Sequence, residues 1–144
     1  MISKDEQRLA VLAVSSLEED HECLGCILGE ALGCVRRARG CQEALCMLRE
    51  GTVPVVICER DLPDGDWKVM LSALRRLEKA PLLIVCSRVA DEYLWAEVLN
   101  LGGWDVLAKP FDAREVTWSV GLAVQEWQRR AGAGAAEGSQ VAAG

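Results

Sequence analysis

Apolar residues gather along this chain in short dense runs, and charged or small polar residues follow each run abruptly. RLAVLAV at residues 8–14, VVIC from Val55, PLLIVC from Pro81 and the shorter WDVLA from Trp104 have the continuous apolar character of strands covered on both faces. Residues 33–37 form a weaker run and read as a peripheral second strand. Between the runs the apolar positions recur three and four apart, which is helical spacing. That spacing predicts helices over residues 18–32, 40–49, 66–77, 91–101 and 112 to about 130. Their inward positions are Leu24, Ile27, Leu28, Ala31 and Leu32 in the first and Ala44, Leu45 and Leu48 in the second. The third carries Val69, Met70, Ala73, Leu74 and Leu77 as one stripe.

Five strands alternating with five helices predict an α/β, doubly wound parallel sheet, with the flavodoxin-like order 2-1-3-4-5. In such sheets a site forms outside the carboxyl ends of the strands. The residues there are Ser15 and Ser16 after the first strand, Glu59 and Asp61 after the third, Ser87 after the fourth and Lys109 after the fifth. Asp64 and Asp66, beside the Pro63 to Gly65 turn, read as turn and helix-cap residues. The expected domain spans residues 7–130. From Ala131 the sequence AGAGAAEGSQVAAG has no periodicity and almost nothing large to bury, so residues 131–144 are expected to be a disordered tail.

Composition narrows the function classes. A net charge of −6 argues against a nucleic-acid partner, which needs a basic face. No apolar stretch approaches the roughly 20 residues needed to cross a bilayer, and the first eight residues are too polar for a signal peptide, so a cytoplasmic protein is expected. Seven scattered cysteines suit a reducing compartment. Cys23 and Cys26 form a C-x-x-C pair, but inside a helix, so burial on its apolar face is expected in preference to a redox role. His21 and Glu22 beside them do not complete a zinc site, because His21 is the only histidine. A nucleotide-binding enzyme is weaker still, since no Gly-x-Gly-x-x-Gly follows the first strand.

With these pieces in place, residues 7–127 resemble the receiver domains of two-component response regulators. Leu62-Pro63-Asp64-Gly65 is similar to the loop after the phospho-acceptor strand, Ser87 to the hydroxyl residue ending the fourth strand, and Lys109-Pro110-Phe111 to the family's Lys-Pro-Phe. The resemblance implies a site in which an aspartate takes a phosphoryl group, an acidic pair holds magnesium, and a hydroxyl and a lysine clasp the phosphate. Here the acceptor position is Glu59, and the acidic pair falls on Ser15 and Ser16. Glutamate extends its carboxylate by one methylene, and serines are poor magnesium ligands. The resemblance therefore implies a degenerate pseudo-receiver, without enzymatic activity or cofactor, in which Glu59 pairs with Lys109. The alternative is a phosphorylatable carrier with Asp61 as displaced acceptor and Glu18, Glu19 or Asp20 reaching in to hold Mg2+.

The family's switch aromatic falls on Val106, with Trp104 expected on the same face. Its usual output face carries Tyr93, Trp95, Trp104 and Trp118, together with Trp127, and aromatic residues are favoured as interface anchors. One or two of the tryptophans are expected to be exposed, Trp118 sharing a face with Val124 while Val120 and Leu122 turn away. The implied partners are a histidine kinase or an output protein, with a homodimer through that face as a further option.

Overall fold

The computed structural model describes residues 10–32 and 34–143, with the backbone alone for Glu30 and residues 133–143. The strands are β1 (Val11–Val14), β2 (Val35–Ala38), β3 (Val55–Glu59), β4 (Leu82–Ser87) and β5 (Asp105–Ala108). The helices are α1 (Glu18–Leu32), α2 (Cys41–Glu50), α3 (Trp67–Leu74), α4 (Glu92–Leu101) and α5 (Ala113–Ala143). Within this sheet every strand pair is parallel, and the order across it is β2-β1-β3-β4-β5. This is the expected flavodoxin-like arrangement of five strands and five helices.

Side chains of a strand alternate between its faces, so the central strands split the core in two. Leu12, Val14, Val56, Cys58, Leu83, Val85 and Val106 pack with α2, α3 and α4. Val11, Ala13, Val55, Ile57, Leu82, Ile84, Cys86 and Leu107 pack with α1 and α5. Trp104 packs with this second cluster, whereas Val106 lies in the first, so the two do not share a face as expected.

Several helices have a different phase or extent from the apolar reading. In α3 the buried positions are Trp67, Met70, Leu71 and Leu74, while Val69 is exposed. A tryptophan at the first helical position rotates the stripe by one residue. On α5, Val116, Val120, Ala123 and Val124 face the sheet, and Trp118 and Leu122 point outward together. Their backbone helix continues to Ala143, past the expected stop near Arg130, because alanine is the strongest helix former and the segment is rich in it. Gly144 and residues 1–9, including the start of the expected first strand, lie outside the described residues.

Loops are pinned across the molecule by caps. Gly40, at the N-cap of α2, has no side chain to offer, and Asp64 supplies the cap instead: its carboxylate accepts from the backbone N–H of Cys41 and of Gln42 at 2.8 and 3.0 Å. A Cβ on Gly40 would stand 2.6 Å from an Asp64 oxygen, so the close approach requires glycine. Asp64 is therefore an inter-element cap as well as a turn residue. Asp66 caps α3 as expected, accepting from Lys68 and Val69. At the end of α4, Gly102 takes the left-handed conformation at φ 105°, and the Arg75 guanidinium donates to the Leu101 carbonyl beside it.

Candidate functional site

Three strand ends and one helix start converge at the carboxyl edge of the sheet. Ser15, Glu59 and Lys109 continue the alternation that sends Val11 and Ala13, Val55 and Ile57, and Leu107 toward α1. All three therefore emerge on the α1 side. The first turn of α1 is Glu18, Glu19 and Asp20, carboxylates favoured there by the positive end of the helix dipole. Glu18 and Glu19 turn outward to Arg37, Arg39 and Arg88. Asp20 turns inward and is only 4% exposed.

The result is a buried network around one ammonium group. Lys109 Nζ donates to Asp20 Oδ2 at 2.7 Å and is also paired with Glu59 Oε2. Ser15 Oγ donates to Asp20 Oδ2 at 2.6 Å, and the Cys86 thiol points at Glu59 Oε2 at 3.7 Å. Burial alone would lower the Lys109 pKa, but its hydrogen bonds with Asp20 and Glu59 outweigh burial and hold it above the usual lysine value. Burial in turn pushes the Cys86 thiol well up, with the Glu59 charge adding to it, so this sulfur is an un-ionised donor. Beside the network, His21 is buried with Nε2 on the Ser15 carbonyl.

Glu59 and Lys109 thus meet as the sequence suggests, and Ser15 joins them. Ser16 is exposed and takes no part. Ser87 belongs to the other alternation, that of Leu83 and Val85, and its hydroxyl accepts from its own loop, from Val89 N–H at 3.1 Å. Its carbonyl accepts from Lys109 N–H at 3.0 Å, so strand pairing sets the two side by side without joining their side chains. Asp61 has left the sheet for a two-residue antiparallel pairing with Asp66, and its exposed carboxylate faces Arg60. Asp20 is the participant that sequence reasoning held only as an option, and its place in the acidic first turn was the available signal. Among the described residues no group of three or more His, Cys, Asp or Glu side chains is arranged to hold a metal ion.

The other candidate sites separate by exposure. Cys23 is half-buried and Cys26 exposed, so the C-x-x-C pair is not buried on the apolar face as expected; Cys23 lies at the edge of the α1 stripe defined by Leu24 and Leu28, and Cys26, two residues from each, lies opposite it. On α4 and α5, Tyr93, Trp95 and Trp118 are 88%, 51% and 71% exposed, while Trp104 and Trp127 lean on the core. A groove on the outer face of α5 is lined by Arg114, Thr117, Trp118, Gly121, Leu122 and Gln125.

Comparison with known proteins follows the same lines. The chain is similar to the signal receiver domain of an HD domain-containing protein from Pseudomonas fluorescens Pf-5, with 24% identity and TM-score 0.78 over 90% of this chain and 96% of that one. It is similar to a two-component response regulator from Clostridium difficile, with 20% identity and TM-score 0.73 over 81% and 96%. It is also similar to the beryllofluoride-activated NtrC4 receiver domain dimer, with 23% identity and TM-score 0.75 over 82% and 98%. A search of curated proteins returned no match. Residues 19–120 match the model of the response regulator receiver domain, a stretch that holds the starts of α2 to α5 and nearly all of α1, with β1, Ser15 and Ser16 lying just before it. The chain belongs to the response regulator receiver domain family, the signalling module of two-component systems.

Proposed function

We propose that this receiver domain acts by protein contact, without being phosphorylated. The carrying observation is the buried network: the carboxylate of Glu59, which we read as standing at the acceptor position, is committed, with that of Asp20, to Lys109. The magnesium ion that such sites use does not fit these residues. Ser15 and Ser16 offer no carboxylate, and the two carboxylates present surround an ammonium group. No step through a metal is therefore derived. What the residues do is hold a permanent negative charge against Lys109, tying β3 and β5 together where a phosphoryl group would otherwise do so.

Contact with a partner falls to the aromatic side chains left in solvent, Tyr93, Trp95 and Trp118. The partners we propose are a signalling protein such as a histidine kinase or output protein, or a second copy; the NtrC4 receiver domain is a dimer. The seven cysteines are all free thiols, which suits the cytoplasm. The test is the intact mass of the protein after incubation with Mg2+ and acetyl phosphate. The expected result is an unchanged mass. A base-labile phosphoryl adduct would overturn the reading and send attention to Asp61.

A further inference from the structure

We infer that the ammonium group of Lys109 is the resident cation of this site, and that Asp20 is the positioning residue that makes it so. The inference rests on the phosphorylation-independent reading above and deepens it. The carboxylate missing from the end of β1 returns from five residues further on, out of the first turn of α1. Asp20 takes no part in capping among the described hydrogen bonds; both its partners, Ser15 Oγ and Lys109 Nζ, belong to the site.

Two carboxylates that share one point repel each other unless a cation stands between them or one of them takes up a proton. A divalent ion is one solution, and a lysine is another. Here Asp20 Oδ2 and Glu59 Oε2 both touch the same Lys109 nitrogen. Each carboxylate also has a neutral donor of its own, the Ser15 hydroxyl and the Cys86 thiol. An arriving divalent ion would meet a like charge already in place, with Lys109 only 9% exposed and unable to swing into solvent without vacating both partners. The same geometry gives the inference its sharpest consequence. Removal of the lysine charge leaves two convergent carboxylates without a cation, and the position becomes attractive to a divalent ion from solution.

The experiment uses Mn2+ as the probe, followed by electron paramagnetic resonance on the full chain. The unaltered protein is expected to show no tight Mn2+ site. Lys109→Met is expected to bind one Mn2+ at least about 10-fold more tightly, and Lys109→Met combined with Asp20→Asn to lose that gain. A folded Lys109→Met protein with no gain, or a double variant that keeps it, overturns the inference. Should Lys109→Met fail to fold, the acetylation rate of Lys109 by acetic anhydride, read by peptide mass, decides instead. Asp20→Asn is expected to speed it about 10-fold over the unaltered protein, and equal rates overturn the inference. Phosphoryl uptake by the unaltered protein is a separate measurement and strikes the reading beneath it, so the two failures are told apart.

Discussion

The sharing of one lysine by two carboxylates can be measured as a coupling energy. Asp20→Asn removes a charged acceptor that receives 2.6 and 2.7 Å hydrogen bonds, and Glu59→Gln removes the other carboxylate at the same nitrogen. A hydrogen bond to a charged group contributes about 1.5–3 kcal/mol. Each single change also relieves carboxylate repulsion and leaves Lys109 one partner, so a cost of about 1–1.5 kcal/mol is expected for either. The double variant strands a buried ammonium, and breaking a buried pair in that way costs about 3–5 kcal/mol. At the middle of these ranges the double cost exceeds the sum of the singles by about 1.5 kcal/mol. Urea unfolding reads this directly, with the fluorescence of buried Trp67 contributing to the signal. At a slope of about 1.5–2 kcal/mol/M that excess moves the midpoint by about 0.75–1 M beyond additivity. Costs that add to within about 0.5 kcal/mol would refute the shared-cation geometry.

Three further outcomes follow from other parts of the structure. Because the folded Lys109 pKa is raised, its contribution is complete below the ordinary lysine value and is lost as pH rises through the raised one. The stability difference between the unaltered protein and Lys109→Met should thus shrink from about pH 10 upward, as urea midpoints across that range would register. Trp67→Ala, which empties a fully buried site in the α3 side of the core, is expected to cost about 3–5 kcal/mol in the same assay; a loss under about 1 kcal/mol would mean the ring is not packed there. A thiol reagent should label Cys26 and Cys46 first and reach Cys58 and Cys86 only on unfolding, since burial both hides these two and raises their pKa values.

Much of the architecture could be read from the chain because each strand is covered on both faces and so appears as an unbroken apolar run. The bounds of α1, from Glu18 to Leu32, follow from three acidic residues at its start and an apolar stripe behind them. Phase was harder. Around Trp67 the chain supplies apolar residues at 67, 69, 70, 71, 73 and 74, and two stripes one residue apart fit the pattern equally well until the sheet selects one. The same ambiguity misassigned Leu122 and Val124 on α5. For the site, Glu59 and Lys109 could be paired because parallel strands all end at one edge of the sheet, where β3 and β5 flank β4. Asp20 could not be chosen over Glu18 and Glu19, since three consecutive carboxylates differ only in the direction the helix turns each one. Asp64 reaching the start of α2 depends on a loop closing over 22 residues, and no local pattern encodes it.

One strand end stands apart from the others. The network fastens β1, β3 and β5 to α1 and takes in β4 only through the Cys86 thiol, while Ser87 at the end of β4 turns to the opposite face, where its hydroxyl serves only its own loop. Beyond the backbone hydrogen bond from Lys109 N–H to the Ser87 carbonyl, the segment from Ser87 to Asp91 is joined to the rest of the edge by the solvent-exposed Arg88 to Glu19 pair, a contact that salt screens readily. Mechanically the edge is a clamp whose charged grip skips the end of β4, and that end leads straight into α4 and its exposed Tyr93 and Trp95. A contact on those two rings would therefore bear on the strand end that carries no charged member of the network.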